Sequence, residues 1–94
     1  MINDRISLAV VQRPETRSPG RLLEIEGAWA RLTVESPKPI GAGDLVEFET
    51  EEMLYLGEVE STDSSGAEQQ LRVHLEHTLD LDKAAWIQKL WNGG

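Results

Sequence analysis

The chain contains no cysteine. That excludes disulfides, thiolate nucleophiles and cysteine-held metals, and it fits a cytoplasmic protein. Aromatic residues are scarce: three Trp, one Tyr and one Phe. Any core must therefore lean on aliphatic side chains with a few aromatic anchors. No apolar run approaches the ~20 residues that a membrane-spanning helix needs, so no membrane partner is expected. The opening Met1-Ile2-Asn3-Asp4-Arg5 has no signal-peptide pattern. Basic residues are few, nine Lys and Arg against seventeen Asp and Glu, for a net charge of −8. Binding a polyanion releases counterions from its phosphates and needs clustered Lys and Arg. DNA and RNA are thus not expected as partners.

Ninety-four residues with 39% hydrophobic content suffice for one domain with one modest core. The charge is unevenly placed. Residues 1–31 hold five Arg against four acids, whereas residues 32–94 hold four basic residues against thirteen acids. A small anion, if one binds, belongs near the N-terminal third. The acidic remainder reads as a solubilising surface.

Strand signals dominate the chain. Ile6 to Val11 is apolar and rich in β-branched residues, and reads as a first strand. Gln12 to Gly20 holds two Pro and a Gly and reads as a loop. Strand character resumes at Leu22–Glu26, Gly27 permits a turn, and Trp29–Val34 alternates. Ala30, Leu32 and Val34 are expected inside, with Trp29 at the rim or closing an open end. Glu35-Ser-Pro-Lys-Pro39 is a rigid connection, and Gly41-Ala-Gly43-Asp44 a turn into a strand over Leu45–Thr50. Glu51-Glu52 makes a hairpin tip. The return strand, Met53–Glu60, is apolar on both faces, which leaves its inward face open. Thr62–Gly66 has the chemistry of a second hairpin loop, and Gln70–Glu76 reads as the last strand.

The end of the chain changes period. Residues 80–92 read as a helix, with Asp80 or Asp82 able to cap it. Ala84, Ile87 and Trp91, and Leu81 and Ala85, form apolar rows at helical spacing. The expected fold is mainly β: a small antiparallel barrel of six strands (residues 1–79) with one C-terminal α-helix plugging its open end. Closing a sheet removes its edges.

In this order of strands and turns the chain resembles the PilZ domain, a bacterial receptor for cyclic di-GMP. Pro39-Ile-Gly-Ala-Gly43-Asp44-Leu-Val-Glu-Phe48 looks like that family's Gly-Asp turn and fourth strand. Gly57-Glu-Val59 and Val73-His-Leu75 look like its later strands. The resemblance runs over nearly the whole chain and implies a non-enzymatic, cytoplasmic signalling module that meets cyclic di-GMP, another protein, or both.

The family's ligand motifs are altered. Glu24-Ile-Glu26-Gly-Ala-Trp29 stands where Asp/Asn-x-Ser-x-x-Gly is the family pattern. Glu24 keeps a carboxylate. Glu26 replaces a hydroxyl donor, and a carboxylate beside a phosphate is repelled. Trp29 replaces a Gly that permits close backbone approach. Of the family's Arg-x-x-x-Arg pair, Arg5 falls at the right distance for the second Arg, and position 1 holds Met1. Arg13-Pro-Glu-Thr-Arg17 repeats the pattern literally, but it lies too close to Glu24 to leave room for the first strand. It reads as a chance match in the following loop.

Arg5, Arg13, Arg17, Arg21 and Glu24 are the candidate ligand-binding residues: guanidiniums fit phosphates and stack on guanine. Their ordinary alternative is a solvated loop. His74 and His77 point to opposite faces of a strand and have no third His or Cys to make a metal site. Glu47, Glu49, Glu51 and Glu52 read as an exposed acidic face. No catalytic residue, metal or cofactor is expected. The expectation is an interaction module whose nucleotide binding is weak or lost; the alternative is a true cyclic di-GMP receptor using the N-terminal Arg residues.

Overall fold

A computed structural model describes residues 3–81 of the chain. Among them are six strands: β1 (Asp4–Val10), β2 (Arg17–Glu26), β3 (Trp29–Val34), β4 (Leu45–Glu49), β5 (Met53–Ser65) and β6 (Glu68–Asp80). They close into a barrel in the order β1-β2-β3-β6-β5-β4, with β4 returning to β1 and every pairing antiparallel. The mainly β, six-stranded barrel read from the sequence is therefore present. The helix expected over residues 80–92 lies outside the described residues apart from its first two: Asp80 ends β6 opposite Met53, and the Leu81 N–H donates to the Glu52 carbonyl.

The period-2 pattern turns one face of each strand inward. Ile6, Leu8 and Val10 of β1, Leu22 of β2, Ala30, Leu32 and Val34 of β3, Val46 and Phe48 of β4, Val59 of β5, and Leu71 and Val73 of β6 make one core. Phe48 is its largest fully buried side chain and stacks on Tyr55 with ring centroids 4.9 Å apart. The open question of β5 is resolved: Tyr55, Gly57 and Val59 face the core, so Leu54, Leu56 and Glu58 face outward.

Three boundaries differ from the sequence reading. β2 begins at Arg17, so the loop expected to reach Gly20 is only residues 11–16. Pro19 cannot donate to a ladder, which argues against a central strand. Here the β2–β3 register begins at Gly20, so Pro19 lies at the very end of that ladder, where its carbonyl still accepts from the Glu35 N–H at 3.0 Å and the donor it lacks falls where β3 ends. The second hairpin tip is also tighter than expected. β5 runs on through Thr62 to Ser65, and Gly66, at φ 65°, takes the first central position of a two-residue turn, where glycine is favoured. Finally, β6 does not stop at Glu76. An extra residue is accommodated between Leu75 and His77, opposite Gly57 and Leu56. This bulge resets the alternation and lets the strand continue to Asp80.

The connection between β3 and β4 closes one end of the barrel. Ile40 is buried there, and the Gln69 side chain brackets its backbone: Oε1 accepts from the Ile40 N–H at 3.0 Å and Nε2 donates to the Ile40 carbonyl at 2.7 Å. The expected Gly41–Asp44 turn follows. Asp44 Oδ2 accepts from the Gly41 N–H at 2.9 Å, and the Asp44 N–H donates back to the Gly41 carbonyl.

Candidate functional site

The barrel register distributes the five candidate residues along the outer wall. Arg5 of β1 and Arg21 of β2 are direct cross-strand partners, and Thr33 of β3 stands beside Arg21 in the same row. Both Arg residues are exposed, and neither makes an ion pair or side-chain hydrogen bond among the described residues. They line a groove of about 310 Å³ that also includes Gly20, Thr33, Glu35 and Glu68. Gly20 stands in the inward row with Ile6 and Val34, where a Cβ would collide with the Thr33 carbonyl oxygen, so β2 and β3 could not approach as they do without glycine there. Like charges directly opposed across a sheet are destabilising. In a chain with seventeen acidic residues, this pair is conspicuous for lacking a carboxylate between its two forks.

Arg17 is placed differently. It lies four residues along β2 from Arg21, about 13 Å at ~3.3 Å per residue. Its guanidinium reaches across β1: Nη1 donates to Glu47 Oε1 at 2.6 Å, Nε to Ser7 Oγ at 2.7 Å, and Nη2 to the Ser7 carbonyl at 3.0 Å. The fork is occupied by protein acceptors. Arg13 sits in the turn after β1, where its N–H donates to the Val10 carbonyl at 2.8 Å. It is at the end of β1 remote from Arg5. Glu24 lies beside Arg31 across the β2–β3 ladder, at 3.5 Å, with both side chains largely exposed. Such a solvated pair is worth little.

The structure therefore brings Arg5 and Arg21 together, ties Arg17 to Glu47, and leaves Arg13 and Glu24 elsewhere. The turn from Glu24 to Trp29 has its own arrangement. Trp29, at the start of β3 on the outer face, lies between two side chains of β6: the His74 ring at 4.8 Å and the Arg72 guanidinium 4.6 Å from the indole centroid. Such a cation over an indole face is attractive. Arg72 is also the cross-strand partner of Arg31. Glu26 is exposed beside Trp29. The indole thus covers this part of the outer wall, with the carboxylates Glu24 and Glu26 nearby.

Sequence reasoning had no sign of Arg72, Ser7 or Glu47 as neighbours of the candidate residues. Each contact crosses strands far apart in the chain and depends on register, which one residue of slippage would invert. His74 and His77 are both exposed, with the β6 bulge between them. Among the described residues no three His, Asp or Glu converge as metal ligands, and no helix is long and apolar enough to cross a membrane. Compared by sequence, the chain matches no protein-family model and no curated protein.

Proposed function

We propose that this chain is a non-enzymatic PilZ-like interaction module of a bacterial cyclic di-GMP-related pathway, acting in the cytoplasm through another protein, with nucleotide binding weak or lost. The observation that carries this reading is the outer wall at Glu24–Trp29. A phosphate approaching it meets Glu24 and Glu26, and Trp29 is already packed between His74 and Arg72. Glu26 repels it. The two guanidiniums nearby are already engaged, Arg31 with Glu24 and Arg72 with Glu60 and the indole, and the indole occupies volume a nucleotide would need. The six-stranded antiparallel barrel and the Gly41–Asp44 turn support the PilZ-like part of the reading. Titration calorimetry of the full chain with cyclic di-GMP tests it. No heat at high protein concentration is the expected result; saturable binding at micromolar concentration or below overturns it.

A second reading is favoured by the Arg5–Arg21 pair. Two unpaired guanidiniums over a shallow groove offer forked donors to phosphate oxygens. A true cyclic di-GMP receptor using them binds with an affinity that falls as salt rises. Arg5→Ala and Arg21→Ala would then each abolish binding, and Arg13→Ala would leave it unchanged.

A further inference from the structure

β5 is apolar on both faces, and only one of those faces is the core. Leu54 and Leu56 point outward and are half-buried. Leu79 of β6, the cross-strand partner of Leu54, is 45% exposed, and so is Leu45 of β4, diagonal to Leu56. A strand that is apolar on both sides calls for cover on both. Around this patch stand outward carboxylates: Glu49 opposite Leu54, and Glu58 opposite Leu45. Neither makes an ion pair among the described residues.

We propose that residues 82–94 of this same chain dock along the outer face of β4, β5 and β6 over Leu54, Leu56 and Leu79, rather than under the open end of the barrel. Four observations point there. The chain reaches the edge of the patch: the Leu81 N–H donates to the Glu52 carbonyl at 2.9 Å, next to the Leu54–Leu79 row. The segment carries matching apolar residues, Ala84, Ala85, Trp86, Ile87, Leu90 and Trp91, at helical spacing. Its reach fits: ten residues of helix span about 15 Å, and four strand steps from Leu54 to Glu58 span about 13 Å. Its charge is complementary, with Lys83 and Lys89 against one acid, Asp82, facing a rim of Glu49 and Glu58.

Limited trypsin digestion of the full chain, read by mass spectrometry, tests this at Lys83 and Lys89. The comparison is with the double variant Leu54→Gln/Leu56→Gln. Both side chains face away from the core, and far-UV circular dichroism checks that the barrel is kept. Slow cleavage at the two lysines is expected in the parent chain, and cleavage at least about tenfold faster in the variant, since losing the apolar contacts of two half-buried leucines shifts a docking equilibrium at least that far. Equal rates, whether fast or slow, overturn the proposal. Slow cleavage in both puts the segment elsewhere. Protection that disappears on dilution together with a dimer also overturns it, because a second copy then covers the face. The absence of cysteine allows an independent measurement on the folded parent background. Leu56→Cys combined with Ile87→Cys is expected to cross-link within one chain through a short bismaleimide, and failure to do so counts against the proposal.

Discussion

Gln69 holds more of the barrel's end than any charged residue does. Its amide satisfies both backbone groups of buried Ile40 and donates a further bond to Thr62 Oγ1 at 2.7 Å. Gln69→Ala leaves a buried N–H and a buried carbonyl without partners. The expected loss is about 1–3 kcal/mol, measured by urea unfolding at unchanged slope. Tyr55 answers to pH. Burial, and to a smaller extent the Asp4 carboxylate, raises its pKa above the ordinary tyrosine value. The folded state then holds the proton where the unfolded chain has begun to release it. This contribution to stability is complete below the unfolded pKa, about 10, and is lost as pH rises from there through the higher folded value. Tyr55→Phe is expected to flatten the decline in urea midpoint above pH 10; an unaltered slope refutes the assignment. Neither role was legible in the sequence. Gln69 lies just before the strand expected over Gln70–Glu76, and its partner Ile40 comes from a connection 29 residues away in the chain. Arg5 and Arg21 were recognisable as candidates by type, but their juxtaposition comes from pairing across the β1–β2 turn.

Among the elements, β1 is the strand that closes the barrel, because it pairs with β2 on one side and β4 on the other. Arg17 spans that seam. Its guanidinium reaches from β2 over β1 to Glu47 on β4, and Ala9, flanked by Arg17 and Glu47 as cross-strand partners, is 1% exposed. Both side chains are about a third exposed, which limits the Coulomb gain, but three hydrogen bonds fix the geometry. A double-mutant cycle of Arg17→Ala with Glu47→Ala is expected to give a coupling of about 0.5–1 kcal/mol that shrinks with salt. Zero coupling at low salt refutes the strap. Arg17→Lys keeps the charge but loses the fork, so it should behave more like the alanine variant than like the parent. The strands themselves were largely legible: β1, β3 and β4 follow from alternation and from Gly and Pro punctuation. What the pattern hid were Pro19 at the end of the β2–β3 ladder and the reset of β6 at its bulge. Both depend on which neighbour a strand has at a given residue, and that is information from elsewhere in the chain.

Over the whole molecule, charge is the least balanced quantity. The chain's net charge is −8, and the described residues include the ion pairs Arg17–Glu47, Arg31–Glu24 and Arg72–Glu60. Two opposite effects of salt compete. Screening weakens the ion pairs, and exposed pairs are each worth about 0–1 kcal/mol. Screening also relieves the repulsion among the unpaired carboxylates and between Arg5 and Arg21. The second effect should win, because the unpaired like charges outnumber the pairs and self-repulsion destabilises the compact state more than the expanded one. Raising NaCl from about 20 mM to about 300 mM, which shortens the screening length from about 20 Å to about 6 Å, is therefore expected to raise the urea midpoint. Urea is the right denaturant because it adds no ions. A midpoint that falls would mean that local pairs such as Arg17–Glu47 dominate. Arg21→Thr separates the contributions: it removes the opposed guanidinium while deepening the net negative charge. If the Arg5–Arg21 repulsion dominates, this variant is more stable than the parent at low salt and the two converge at high salt. If the overall acidic field dominates, it is less stable at low salt and gains more from screening.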